Sequence, residues 1–251
     1  MTYKKFKAYK YFLGNLGESE AINYSIGTPM CMLNVSSLGS ISANKTDLKL
    51  KWVEKQYRDI RPGGFYAPAD CRARHKVAIL VPYRNRATNL AIFLNHMHRF
   101  LMKQLLEYRI FVIEQFGTES FNKGSLFNVG FLESQRFGTW RCYVFHDVDL
   151  LPLDERIFYS CPRKPTHMSS AVETFKYELP YPQLFGGVTS MTSDQFKAVN
   201  GYSNRYTGWG GEDDDMFIRI QASKFPVLRY NKTIGKYAAL PHERNNKNRK
   251  K

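Results

Sequence analysis

Lys76–Arg86 reads KVAILVPYRNR, and this stretch decides the fold. A short apolar run closed by a polar, proline-led segment reads as a buried strand. Downstream, Leu90, Phe93, Leu94, Met97, Leu101 and Leu105 recur at helical spacing. RIFVIEQ (residues 109–115) is a second strand, residues 125–135 a second helix, and CYVFHDVD (residues 142–149) a third strand ending in acids. Strand–helix–strand–helix–strand implies right-handed crossovers and a mostly parallel sheet covered by helices, an α/β fold. Ligands of such sheets bind beyond the carboxyl ends of the strands, so PYRNR and HDVD face one cleft. No G-x-G-x-x-G follows the first strand, so the dinucleotide fingerprint is absent.

Upstream, residues 1–70 are irregular, with one short helix expected over Leu48–Tyr57 and a turn-rich connector, RPGGFYAP, over residues 61–68. Beyond Pro152, LFGGVTSM (residues 184–191) reads as a strand, and Thr192–Val199 and Glu212–Ala222 as helices. Residues 1–30 form a basic, irregular segment and 31–251 a single domain. The chain has 251 residues and a net charge of +15, enough length for one well-buried core. No apolar run reaches bilayer length, and no apolar signal core follows the basic start. The basic residues are spread along the chain without a nucleic-acid-binding motif, which leaves a basic nucleic-acid module as the weakest reading and a nucleotide diphosphate as a better-suited anion. Cys31, Cys71, Cys142 and Cys161 contain no C-x-x-C pair, which argues against zinc, and their even number fits two disulfides. Sequons at Asn23, Asn34, Asn44 and Asn231 point to a secreted or lumenal chain.

Two clusters can carry chemistry. Residues two apart in a strand point the same way, so Asp147 and Asp149 project together. Paired carboxylates in a cleft need a compensating cation, and hard oxygen ligands suit magnesium or manganese holding a diphosphate. Capping aspartates on a loop are the alternative. Arg84 and Arg86, opposite them, can grip phosphate or a base edge. The second cluster is GWGGEDDDMF, Gly208–Phe217. On a helix, Asp215 and Arg219 form an exposed pair, whereas Glu212 and Asp213 share the apolar side with Met216, Phe217 and Ile220. The helix dipole lowers the cost of all four acids, and an inward carboxylate at a helix entrance is a candidate general base.

HKVAILVPYRNR, FNKGSLFNVGF, FHDVDLLP, LPYPQLFGGVTSM and GYSNRYTGWGGEDDDMFIRI, in this order, resemble the animal β-1,4-galactosyltransferase family, which includes invertebrate β-1,4-N-acetylgalactosaminyltransferases. The resemblance covers residues 31–243. It implies a GT-A type, Rossmann-like nucleotide-sugar-binding domain in type II Golgi membrane proteins that use manganese. It also implies inverting transfer from a UDP-sugar to O4 of a terminal N-acetylglucosamine (GlcNAc) on a glycoprotein or glycolipid. On this resemblance, Pro82, Tyr83, Arg84, Arg86, Phe121, Lys123, Asp147 and Val148 hold the nucleotide, and Trp209 closes over the donor. Asp149 and His242 bind the metal, and Asp213 is the base, with Glu212 beside it. Tyr181, Gln183, Gly210, Gly211 and Asp214 belong to the acceptor side. The bridges are Cys31–Cys71 and Cys142–Cys161.

The sequence departs from the family in several places. Lys123 stands where Arg is usual, Thr174 where Lys is common, and Ala239 where many members have a metal-ligating Met. Leu184 stands where galactose-specific members have Tyr, which leaves room for an acetamido group and favours UDP-GalNAc over UDP-Gal. The family continues past the position of Lys251, so a C-terminally trimmed chain is expected. A non-catalytic UDP-sugar or glycan-binding member, or an inactive fragment, is the competing reading.

Overall fold

The computed structural model describes residues 24–241. In chain order its elements are α1 (Leu50–Gln56), β1 (Phe65–Tyr66), β2 (Lys76–Tyr83), α2 (Ala87–Lys103), β3 (Glu107–Glu114), α3 (Lys123–Ser134), β4 (Cys142–His146), β5 (Leu150–Pro152), β6 (Thr166–His167), β7 (Ala171–Val172), β8 (Val188–Thr192), α4 (Ser193–Ala198), α5 (Glu212–Ala222), β9 (Leu228–Arg229) and β10 (Lys236–Ala239). The main sheet has the order β1-β3-β2-β4-β8-β6-β9. Its centre, β3-β2-β4, is parallel, as the strand–helix alternation implies. β8 continues it antiparallel to β4, and β6 pairs antiparallel with β8 and parallel with β9. A second sheet, β5-β10-β7, was not foreseen; strands of two to four residues carry no readable period.

β2 shows why the opening stretch is decisive. Val77, Ile79 and Val81 pack with Phe93, Leu94 and Met97 of α2 on one side. Ala78 and Leu80 pack on the other with Phe127 and Phe131 of α3 and Met216 and Ile220 of α5. A strand buried on both faces must be apolar throughout, which is why it reads as an unbroken run. Fully burying Met216 and Ile220 stabilises the docking of α5 by about 1.5–3 kcal/mol each. The helical stripe of α2 ends at Leu101, because Leu105 has φ 53° and lies in the turn beyond Gln104. α3 is capped by Asn122, which accepts from Ser125 N, and α4 carries a Thr192–Gln195 capping box.

Two boundaries differ from expectation and both shape the site. β4 stops at His146, so Asp147–Asp149 form a turn in which Leu150 N donates to Asp147 O (3.3 Å). The glycine pair Gly186–Gly187 lies before β8 rather than in it, with Gly187 at φ 77°. His146 is opposite Val188 across the β4–β8 ladder, and Asp147 N donates to Gly187 O (3.1 Å). The acidic turn and the glycine turn are therefore neighbours.

Both bridges are formed, Cys31–Cys71 and Cys142–Cys161, with sequence separations of 40 and 19. Loop-closure entropy assigns them about 4 and about 3 kcal/mol respectively. Replacing both cysteines of either pair by Ala is expected to lower unfolding free energy by about that amount in a urea titration.

Candidate active site

Of the residues that the family resemblance assigns to the nucleotide, Pro82, Tyr83, Arg84 and Arg86 gather at the carboxyl end of β2. Pro82 and Tyr83 end the strand, and Tyr83 is buried with its hydroxyl accepting from Arg86 N (3.2 Å). Arg84 Nη1 donates to Glu119 O (2.5 Å), and its guanidinium lies 5.3 Å from the Phe121 ring centroid. Arg86 Nη1 is 3.7 Å from Asp149 Oδ2. These contacts preorganise two cations and an aromatic face along one wall.

The acidic turn forms the floor. Val148 is buried and anchors it. His146 is fully buried, and burial pushes its pKa down to about 4, so the ring is neutral at pH 7. Its Nδ1 donates to Asp147 O (2.8 Å) while Nε2 accepts from Tyr159 Oη (2.8 Å). Leu240 N donates to Asp149 O (2.7 Å), which brings the end of β10 to this turn. Asp147 and Asp149 are neighbours through turn geometry rather than strand pleat: burial raises the Asp147 pKa, Lys123 opposes it, and the nearby charge of Asp149 adds to it.

Lys123 joins this floor to the opposite wall. Its Nζ lies 2.9 Å from Asp147 Oδ1 and 3.2 Å from Glu212 Oε1. Burial works against its charge, but Asp147, Glu212 and Asp213 outweigh that and hold its pKa well above the ordinary value. α5 enters through Gly211, at φ 93°, where a Cβ would press on the Tyr206 ring. Glu212 is buried, and Asp213 follows with its carboxyl against Gly186, where a Cβ would collide with Asp213 Oδ2. Burial, aided by Glu212 and partly opposed by Lys123, pushes Asp213 up to about 6. A carboxyl so poised can accept a proton near neutral pH.

Asp215 is paired with Arg219 Nε at 2.5 Å, as helical spacing implies, but both side chains are partly buried rather than exposed. Tyr181 Oη donates to Asp214 Oδ1 (2.9 Å), tying the segment before β8 to α5. Gln183 is exposed and Leu184 half-buried in that segment. Trp209 is 58 % exposed, large for an indole, and the adjacent Gly208 N donates to Phe121 O (2.7 Å). Gly210, at φ 92°, would meet nothing within 4 Å if it carried a Cβ. His242, with the sequon Asn23 and the terminal basic residues, lies outside the described residues.

For a metal, Asp149 offers a hard carboxylate oxygen whose side chain is 14 % exposed. Among the described residues no three His, Cys, Asp or Glu side chains are arranged to hold an ion. The donor chemistry of Asp149 suits a hard divalent cation, and Leu240 N, at the end of β10, holds the turn that carries it (2.7 Å to Asp149 O).

Sequence reasoning missed His146, His167 and Arg229. His167 and Arg229 sit on two-residue strands, which leave no periodic signal.

The chain is similar to known glycosyltransferases. Residues 31–162 match the N-terminal region of glycosyl transferase group 7, and residues 166–243 the N-terminal domain of galactosyltransferase. The chain is 43% identical over 207 residues to beta-1,4-galactosyltransferase 6 of Rattus norvegicus, covering 81% of this chain and 54% of the relative. It is 44% identical over 199 residues to beta-1,4-galactosyltransferase 1 of Bos taurus, covering 79% and 50%. The crystal structure of the catalytic domain of Drosophila beta1,4galactosyltransferase 7 with xylobiose matches with TM-score 0.56 and 39% identity, over 62% of this chain and 64% of that one. A mutant of the same enzyme, in complex with manganese, UDP-Gal and xylobiose, matches equally well. The chain spans about half the length of the curated relatives it matches. With five motifs in order, two family domains matched across residues 31–243 and a GT-A fold, the chain belongs to the β-1,4-galactosyltransferase family.

Proposed function

We propose that this protein is an inverting glycosyltransferase that moves GalNAc or Gal from a UDP-sugar to O4 of a terminal GlcNAc on a glycoconjugate. The observation that carries this reading is the position of Asp213. It is a buried carboxyl raised to about 6 beside Lys123, which bonds Asp147 of the acidic turn, and Asp149 of that turn in turn meets Arg86. Asp149, with His242, would hold manganese, which when bound supplies charge to stabilise the leaving diphosphate.

The chain's own residues do the rest. Arg84 and Phe121 give a cation and a ring face for the nucleotide. Lys123 keeps the floor and the base side at a fixed separation. Tyr181, Gln183, Gly210, Gly211 and Asp214 border the acceptor, and Trp209 covers the donor, a role supported by the exposure of its indole. Asp213 takes the proton from the acceptor hydroxyl as it attacks the anomeric carbon from the face opposite UDP. One displacement inverts that centre, and one base suffices, whereas a hydrolase needs a second carboxyl as acid. A manganese-dependent transfer assay tests the reading: UDP binding without transfer would favour a non-catalytic sugar-nucleotide-binding protein, for which Ala239 in place of a thioether ligand is the supporting observation.

Leu184 favours GalNAc as the donor sugar, whereas the relatives are named for galactose. Leu184→Tyr is expected to shift the UDP-Gal to UDP-GalNAc rate ratio toward Gal by about tenfold, the scale of one filled pocket. An unchanged ratio, measured with both donors at subsaturating concentration, would remove Leu184 from the specificity role.

The proposed location is the Golgi lumen. Two formed disulfides support it, as do the exposed sequons Asn34, Asn44 and Asn231. Each of these asparagines accepts through Oδ1 from the backbone amide of the sequon Ser or Thr (3.2, 2.9 and 3.0 Å). Among the described residues, no helix is long and apolar enough to cross a membrane. Protein secreted from a eukaryotic host is expected to lose mass on treatment with a peptide N-glycosidase; no loss would count against a lumenal chain.

A further inference from the structure

Arg229 ends the edge strand β9, where His167 of β6 is its register partner. Its Nη2 donates to Pro182 O (2.6 Å) and Leu184 O (2.8 Å). Its Nε donates to His167 Nδ1 (3.1 Å). That bond fixes the tautomer, because a ring nitrogen that accepts cannot also carry the proton. His167 is therefore protonated at Nε2 and donates to Gly186 O (3.0 Å). Burial, reinforced by Arg229, pushes its pKa down to about 3, which keeps the ring neutral. Three alternate carbonyls, 182, 184 and 186, are thus held by one Arg–His pair. Ser169 Oγ adds a second donor to Gly186 O (3.2 Å) and accepts from Val188 N (2.8 Å).

The other side of the same segment bears on α5. Gly186 abuts the Asp213 carboxyl, Tyr181 bonds Asp214, and the Arg229 guanidinium lies 5.9 Å from the Phe217 ring centroid, one turn along from Asp213. A planar fork that reaches two carbonyls and a ring nitrogen at once is a geometry only arginine supplies.

We propose that Arg229, acting through His167, is a positioning residue that clamps segment 181–187 against α5 and so sets the acceptor and donor-sugar wall facing Asp213. What the wall contacts rests on the transferase reading; the clamp itself does not. The Arg229 contacts given above run to segment 182–184, His167 and Phe217, so the two halves of the site separate in experiment.

The test uses Arg229→Met and Arg229→Lys in the full chain. In the Met variant, acceptor KM should rise by at least about tenfold, since small misplacements of a bound group are costly. UDP affinity should stay within about twofold, and the Gal to GalNAc ratio should move toward unity. Hydrogen exchange at the Leu184 and Val188 amides should quicken at least about tenfold, with β2 and β4 amides unchanged. The Lys variant, which keeps the charge but not the fork, should fall between. Wild-type acceptor KM and wild-type exchange at Leu184 in Arg229→Met would overturn the proposal, as would a loss shared equally by UDP binding and β2 exchange. If the wild-type protein transfers no sugar, the transferase reading fails alone, and the exchange comparison still decides the clamp.

Discussion

Asp213→Asn is expected to lower kcat by about 10²–10⁴-fold while UDP affinity stays within about twofold, the range a positioned general base contributes. The amide keeps the shape of the side chain against Gly186 but cannot accept the proton. In the wild-type protein the base must be ionised, so kcat should fall about tenfold per pH unit below about 6 and level off above it. The same shift has the opposite effect on stability. A carboxyl whose folded pKa lies above its unfolded value binds more proton in the native state between about 4 and about 6. Unfolding free energy therefore falls as pH rises through that window, and the full penalty is present at pH 7. Asp213→Asn removes it, so the variant should be more stable than wild type at pH 7, by about 1–2 kcal/mol once the sharing of charge with Glu212 and Lys123 is allowed for. A variant that is inactive and more stable is the signature of a strained functional carboxyl. A variant that is inactive and less stable would assign Asp213 a structural role.

Lys123→Met should be the most damaging single change on the nucleotide side. Lys123 is the cation shared by Asp147 and Glu212, with its side chain 20 % exposed. Removing it leaves Asp147, Glu212 and Asp213 facing one another in a poorly solvated corner. Breaking a buried pair in this way costs about 3–5 kcal/mol, and the partial exposure of Asp147, 26 %, reduces that to about 2–4 kcal/mol. Lys123 also lowers the pKa of Asp213, so the acid limb of the pH–rate profile should move to higher pH in any residual activity. Lys123→Arg, the residue usual in the family, should preserve most of the stability. Urea melts of both variants at pH 7, with the pH profile of kcat, check this. Equal losses in the Met and Arg variants would show that packing, not charge, matters at this position.

The sheet centre was legible because double-sided burial demands an unbroken apolar run, as in Val77–Val81. The α5 phase was legible too. Asp215 pairs with Arg219 and Asp213 turns inward, because a 3.6-residue period separates adjacent acids onto different sides. The acidic turn was half legible. Asp147 and Asp149 are neighbours, but strand pleat is not the cause; β4 has already ended and Gly187 O holds the turn. Arg229 and His167 were not legible at all. Their roles depend on register between strands of two residues, which is fixed by distant partners and leaves no local pattern.

The central claim is inverting transfer with Asp213 as base, and product analysis tests it most directly. The protein is incubated with manganese, free GlcNAc and either UDP-Gal or UDP-GalNAc, and the disaccharide is examined by NMR. The account predicts a β-1,4-linked product with one UDP released per linkage, absent in Asp213→Asn. A folded protein that binds UDP yet forms no disaccharide from either donor, or an α-linked product, would contradict it.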